Sequence, residues 1–181
     1  TGQLSASLWN QYAQDGIEVI RQSNPTRYIV VGGVFWNAYS SLSTLELPED
    51  RYLIATFHYY LPMNFTHQGA SWVPGSQAWL GTTWEGTAVE QEEIRSHFSQ
   101  ASTWSQENDI PIILGEFGAY SAVDMESRVR WTDFVAREAE AMDFAWAYWE
   151  FCSGFGIYDP ASETWYTDLL QALIPETGAL N

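Results

Sequence analysis

Four short apolar runs, none alternating with polar residues, are spaced along the chain with helix-patterned stretches between them. They are Tyr28-Ile29-Val30-Val31, Leu53-Ile54-Ala55-Thr56-Phe57-His58, Ile110-Pro111-Ile112-Ile113-Leu114 and Phe144-Ala145-Trp146-Ala147-Tyr148-Trp149. A strand covered on both faces reads as a continuous hydrophobic run, and parallel strands need helical crossovers between them. The pattern therefore predicts an α/β fold built from parallel βα units. Helices are predicted over about 5–22, 90–108, 125–142 and 164–174. The first is capped by Ser5 or Ser7 and stopped by Asn24-Pro25, and the last is built on Trp165, Leu169, Leu170 and Leu173. Residues 61–89 read as one long loop rich in Gly, Pro, Thr and Trp, and a loop of that length in a compact domain points to function.

Charge narrows the partners. Seven basic residues, all arginine, stand against 23 acidic ones, for a formal net charge of -16. Such a chain repels phosphate backbones and anionic lipid surfaces, which argues against nucleic acid and membrane partners. Without lysine there is no Schiff-base nucleophile and no phosphate-loop lysine. The one cysteine, Cys152, has no intrachain partner for a disulfide. No secretory leader pattern is visible, Thr1 leading straight into a polar, helix-like stretch.

Ligands of βα folds sit at the carboxyl ends of the strands. Those ends carry Gly32-Gly33 with Trp36 and Asn37, then His58-Tyr59-Tyr60, then Gly115-Glu116-Phe117-Gly118, then Trp149-Glu150. Glu116 follows a buried apolar run between glycines, where a carboxylate must be hydrogen-bonded, paired or functional. An ion pair with a local arginine is the plain alternative to a catalytic carboxylate. His58 and Tyr60 are two apart and share a face, suited to orienting a carboxylate; a satisfied core histidine is the competing account. His58, His67 and His97 show no metal-ligand spacing, and His97 reads as part of a solvated helix. Trp36, Trp72, Trp79, Trp84 and Trp149 fall in loops or at strand ends, where aromatic faces suit the C–H faces of sugar rings or pack locally. An acidic rim rich in tryptophan fits a neutral polysaccharide.

The segments Asn24-Pro25-Thr26-Arg27-Tyr28 through Gly32-Gly33 and Trp36-Asn37, His58-Tyr59-Tyr60, Phe65-Thr66-His67-Gln68-Gly69-Ala70, Leu114-Gly115-Glu116-Phe117-Gly118 and Tyr148-Trp149-Glu150-Phe151, in that order, resemble glycoside hydrolase family 5, the cellulases. The resemblance implies a (β/α)8 barrel, retaining endoglucanase chemistry, no cofactor or metal, a β-glucan substrate and a secreted or extracellular location. It implies Glu116 as nucleophile at the end of the seventh strand, with His58 and Tyr60 lining the catalytic subsite from the sixth. Trp149 becomes the sugar platform, and Trp36, Asn37, His67 and Trp72 further substrate contacts. The family's acid/base lies in an Asn-Glu-Pro motif closing the fourth strand, and no such motif occurs here. With four strands rather than eight, and a full barrel needing about 250 residues, residues 1–181 read as a single C-terminal half-barrel. Its open edges predict closure by a second copy or a complementary half. Glu150 of such a partner is then a candidate substitute acid, with Glu85, Asp124 and Asp159 as looser candidates. The competing functions are a non-catalytic carbohydrate-binding half-barrel and an unrelated flavodoxin-like domain.

Overall fold

The structure, a computed structural model, describes residues 4–175, so Thr1 lies outside it. Four parallel strands, β1 (Ile29–Gly32), β2 (Leu53–Tyr59), β3 (Ile112–Phe117) and β4 (Ala145–Tyr148), pair in the order of the chain. Helix α1 (Ala6–Ser23) precedes β1, α2 (Ala88–Asn108) joins β2 to β3, α3 (Met125–Ala141) joins β3 to β4, and α4 (Thr167–Leu173) closes the described chain. Ser5 caps α1 by accepting from the Leu8 amide at 3.2 Å. Thr87 and Glu90 form a reciprocal capping box at α2, which moves its start two residues ahead of the expected Glu90.

One face of the sheet packs on the helices. Ala55, Phe57, Tyr59, Leu114 and Phe117 are fully buried there, against Ile94, Phe98, Trp131, Val135 and Ala139. Aromatic edges fix this layer: Phe57 meets Phe98 at 5.5 Å between centroids, and Tyr59 meets Phe98 at 5.1 Å. The opposite face carries Val30, Ile54, Ile113, Ala145 and Ala147. Cross-strand register places them together: Val30 lies opposite Ile54, and Ile113 opposite Ala145. That face is partly uncovered, with Val30 55% exposed and both alanines exposed. The outer edges of β1 and β4 have no strand partner among the described residues.

The final helix is shorter than expected. Thr164-Trp165 pairs with Tyr158-Asp159 as a small antiparallel hairpin, so α4 starts at Thr167 and Trp165 is exposed rather than core. Leu169 and Leu173 do bury, which is the helical part of the predicted pattern. His97 is also not on a solvated face. Its Nδ1 lies 2.9 Å from the hydroxyl of buried Tyr59, and its ring lies tilted against Tyr39, 4.2 Å between centroids.

Candidate active site

Strict alternation would hide the carboxylate. Ile112 and Leu114 point toward the helices, and continuing that period would send residue 116 the same way. A register shift intervenes: Phe57 lies opposite Leu114, but His58 lies opposite Glu116, so Gly115 is the extra residue of a β-bulge. A bulge re-aims the side chain that follows it. Glu116 is thereby turned to the open face beside His58, while Phe117 returns to the core. Only glycine fits the bulge, because a Cβ at 115 would lie 2.4 Å from the Thr56 hydroxyl.

His58 and Tyr60 both reach Glu116. The Tyr60 hydroxyl donates to Oε2 at 3.0 Å, and His58 Nδ1 lies 3.2 Å from the same oxygen. Oε1 accepts no hydrogen bond from the described residues. Burial, then the charge and hydrogen bond of Glu116, push the Tyr60 hydroxyl well above the ordinary phenol range, so it stays a donor. Burial lowers His58 from the ordinary histidine value, partly opposed by the Glu116 charge. No arginine pairs with Glu116 among the described residues; the basic side chain beside it is His58.

The aromatic rim surrounds this centre. Trp36 is 74% exposed, Trp72 58% and Trp149 46%, so each offers a free ring face. Trp72 rests edge-on against Tyr120 at 5.1 Å. His67 is buried, with Nδ1 2.9 Å from the Thr66 hydroxyl and its ring edge-on to Tyr60 at 5.0 Å; burial lowers it to about 4. Asn37 turns its amide nitrogen to His58 Nε2 at 3.2 Å. Trp84 is not part of the rim. It is 1% exposed and packs on Phe134, a structural residue of the long loop. Trp79 is half-buried.

The additional acidic candidates are engaged elsewhere. Glu150 accepts from the Ser153 and Phe155 amides on Oε1 and from Cys152 and Ser153 on Oε2, tying its own loop. Asp124 caps α3 through the Ser127 amide, Asp159 binds Ala161 and Ser162, and Glu85 faces Arg130 at 3.8 Å.

Two supporting residues are invisible to sequence motifs. Phe155 packs against the rings of Tyr60, His67, Trp72 and Tyr120, with centroids 5.3–6.3 Å away. Arg128, 2% exposed, holds that segment by donating to the Phe155 and Gly156 carbonyls and to the Tyr148 hydroxyl. The glycines around Phe155 were the available signal; nothing in the helical pattern marks Arg128 as buried.

A nucleophile-like carboxylate, two donors on one of its oxygens and exposed tryptophans at the carboxyl ends of parallel strands match a known pattern. The family model described as cellulase, glycosyl hydrolase family 5, matches residues 2–154. This chain belongs to glycosyl hydrolase family 5. It is 36% identical over 163 residues to Endoglucanase H of Acetivibrio thermocellus, covering 87% of this chain and 17% of that protein. It is 26% identical over 170 residues to Endoglucanase C of the same organism, covering 81% and 50%. The structure of Thermotoga maritima Cel5A in complex with cellobiose superposes with a TM-score of 0.92 at 45% identity, covering 95% of this chain and 56% of that one. A complex of the same enzyme with mannotriose is equally similar, with a TM-score of 0.92. This family 5 chain thus spans about half the length of the solved relatives it matches, and its fold is half of a (β/α)8 barrel.

Proposed function

We propose that this chain provides the nucleophile half of a retaining β-1,4-glucanase site. The observation that carries the proposal is Glu116, turned outward by its bulge, held through Oε2 by Tyr60 and His58, with Oε1 open. In a retaining reaction Oε1 attacks the anomeric carbon, the glycosidic oxygen leaves with a proton from an acid, and water later releases the sugar. The rings of Trp149, Trp36 and Trp72 offer platforms for successive sugars, and His67 lies beside Tyr60. The relatives' names and the cellobiose complex support a β-glucan substrate; a polymer of that kind is met outside the cell, which is where this reading places the chain.

The second carboxylate must stand about 5–5.5 Å from the first. Glu150 of this chain is a poor source, since amide donors occupy both of its oxygens. The acid therefore comes from whatever polypeptide supplies the other four strands. The uncovered apolar face (Val30, Ile54, Ile113, Ala145, Ala147) and the two unpaired edges support closure by a matching half. Two copies about a two-fold axis offer each other these same edges.

The test is light scattering combined with turnover of an aryl cellobioside. A dimer whose turnover is lost in Glu116→Gln and kept in Glu150→Gln is the expected result. A soluble monomer refutes the two-copy closure, and turnover unaffected by Glu116→Gln refutes the nucleophile assignment.

A further inference from the structure

Three consecutive non-glycine residues, Phe35, Trp36 and Asn37, hold left-handed backbone angles, with φ of 54°, 53° and 58°. Each such residue costs about 1 kcal/mol or more, so the surroundings must hold the turn in place. The turn is tied to β2 at a single residue. Ala38 bridges the backbone of His58, and the Asn37 side chain meets the His58 ring. Gly32 makes room for this: a Cβ there would lie 2.2 Å from Asn37 Oδ1. The amide oxygen therefore packs against the Gly32 backbone, and the amide nitrogen faces His58 Nε2 at 3.2 Å.

We propose that Asn37 is a positioning residue that fixes the tautomer of His58, and through it the orientation of Glu116. An amide nitrogen is only a donor, so Nε2 must be the acceptor and the ring proton must sit on Nδ1. Nδ1–H then donates to Glu116 Oε2 at 3.2 Å. Donors run in one direction, from Asn37 to His58 to Glu116. A doubly protonated ring would set Nε2–H against the amide N–H, so this arrangement also disfavours the cation. The titratable group that meets the ring is Glu116 from β3, whose Oε2 also accepts from Tyr60, and Gly115 lies close beside the ring. A neutral donor orients Oε2 without placing a full positive charge beside the nucleophile, which would weaken it. This inference rests on the nucleophile reading for its purpose but not for its geometry.

The test is ¹⁵N NMR of the imidazole rings in this chain, where His58, His67 and His97 are the complete histidine set. His58 is expected as the neutral Nδ1–H tautomer at neutral pH. Asn37→Asp, equal in shape, replaces the donor by an acceptor; it is expected to move the proton to Nε2 and shift the titration midpoint of His58 upward. Asn37→Ala is expected to mix the two tautomers. His67 and His97 shifts that stay in place report an intact fold. An Nε2–H tautomer in the unaltered chain, or an unchanged His58 spectrum in Asn37→Asp, overturns the proposal. Because no turnover is read, failure of the nucleophile assignment leaves this result standing, and the reverse also holds.

Discussion

Replacing Gly115 with alanine tests whether close packing on Thr56 reserves the bulge position for glycine. The added Cβ would lie 2.4 Å from the Thr56 hydroxyl and 3.4 Å from the His58 ring. Thr56 is buried in the adjacent strand and has little freedom to move. Overpacking of this kind costs about 1–3 kcal/mol. In a domain of this size that lowers the melting temperature by roughly 2–4 °C per kcal/mol. Thr56→Ala removes the clashing oxygen, so in that background the same glycine substitution is expected to cost about 0.5 kcal/mol or less. Urea unfolding of the four proteins in the cycle measures the coupling directly. A Gly115→Ala chain as stable as the parent, or equal costs in both backgrounds, refutes the argument that close packing on Thr56 reserves position 115 for glycine.

Removing the Tyr60 hydroxyl, as Tyr60→Phe, takes one hydrogen bond from a carboxylate, a loss of about 1.5–3 kcal/mol; turnover of an aryl cellobioside should fall by about 10- to 100-fold, with the melting temperature nearly unchanged. Arg128→Met leaves the Phe155 and Gly156 carbonyls without their buried donor and should destabilise by about 3 kcal/mol, read by urea unfolding. His67 provides a pH dependence. Its folded value of about 4 lies below the ordinary 6.5, so the unfolded chain takes the proton more readily. Stability should be complete above about pH 6.5 and fall on acidification toward pH 4 by on the order of 2 kcal/mol, allowing for partial solvent contact. His67→Gln should flatten that slope in a pH series of unfolding curves.

The parallel βα order was legible because unbroken apolar runs and helical periods are set by burial, which the sequence states directly. The convergence of His58 and Tyr60 on Glu116 followed from a spacing of two on a strand and a common strand end. The bulge at Gly115 was not legible: a glycine in an apolar run does not say whether the register shifts. Composition likewise does not separate Trp84, buried under the long loop, from Trp72, exposed on it, since both sit among the same glycines and threonines. Trp165 misled because a two-residue hairpin strand has no period of its own to break a helical one. His97 looked solvated among polar neighbours, yet its position on α2 turns it toward the Tyr59 hydroxyl. Glu150 illustrates the opposite limit: its chemistry suited an acid, while the loop that follows it takes up both oxygens.

The assignment of Glu116 is tested most directly by covalent capture. A dinitrophenyl cellobioside with fluorine in place of the second hydroxyl has a leaving group that needs no protonation, so no general acid is required for the first step. Incubated with this chain and mapped by peptide mass spectrometry, it should leave one fluorocellobiosyl group on the peptide containing Glu116, absent in Glu116→Gln. Labelling at another carboxylate, or equal labelling in Glu116→Gln, would contradict the account.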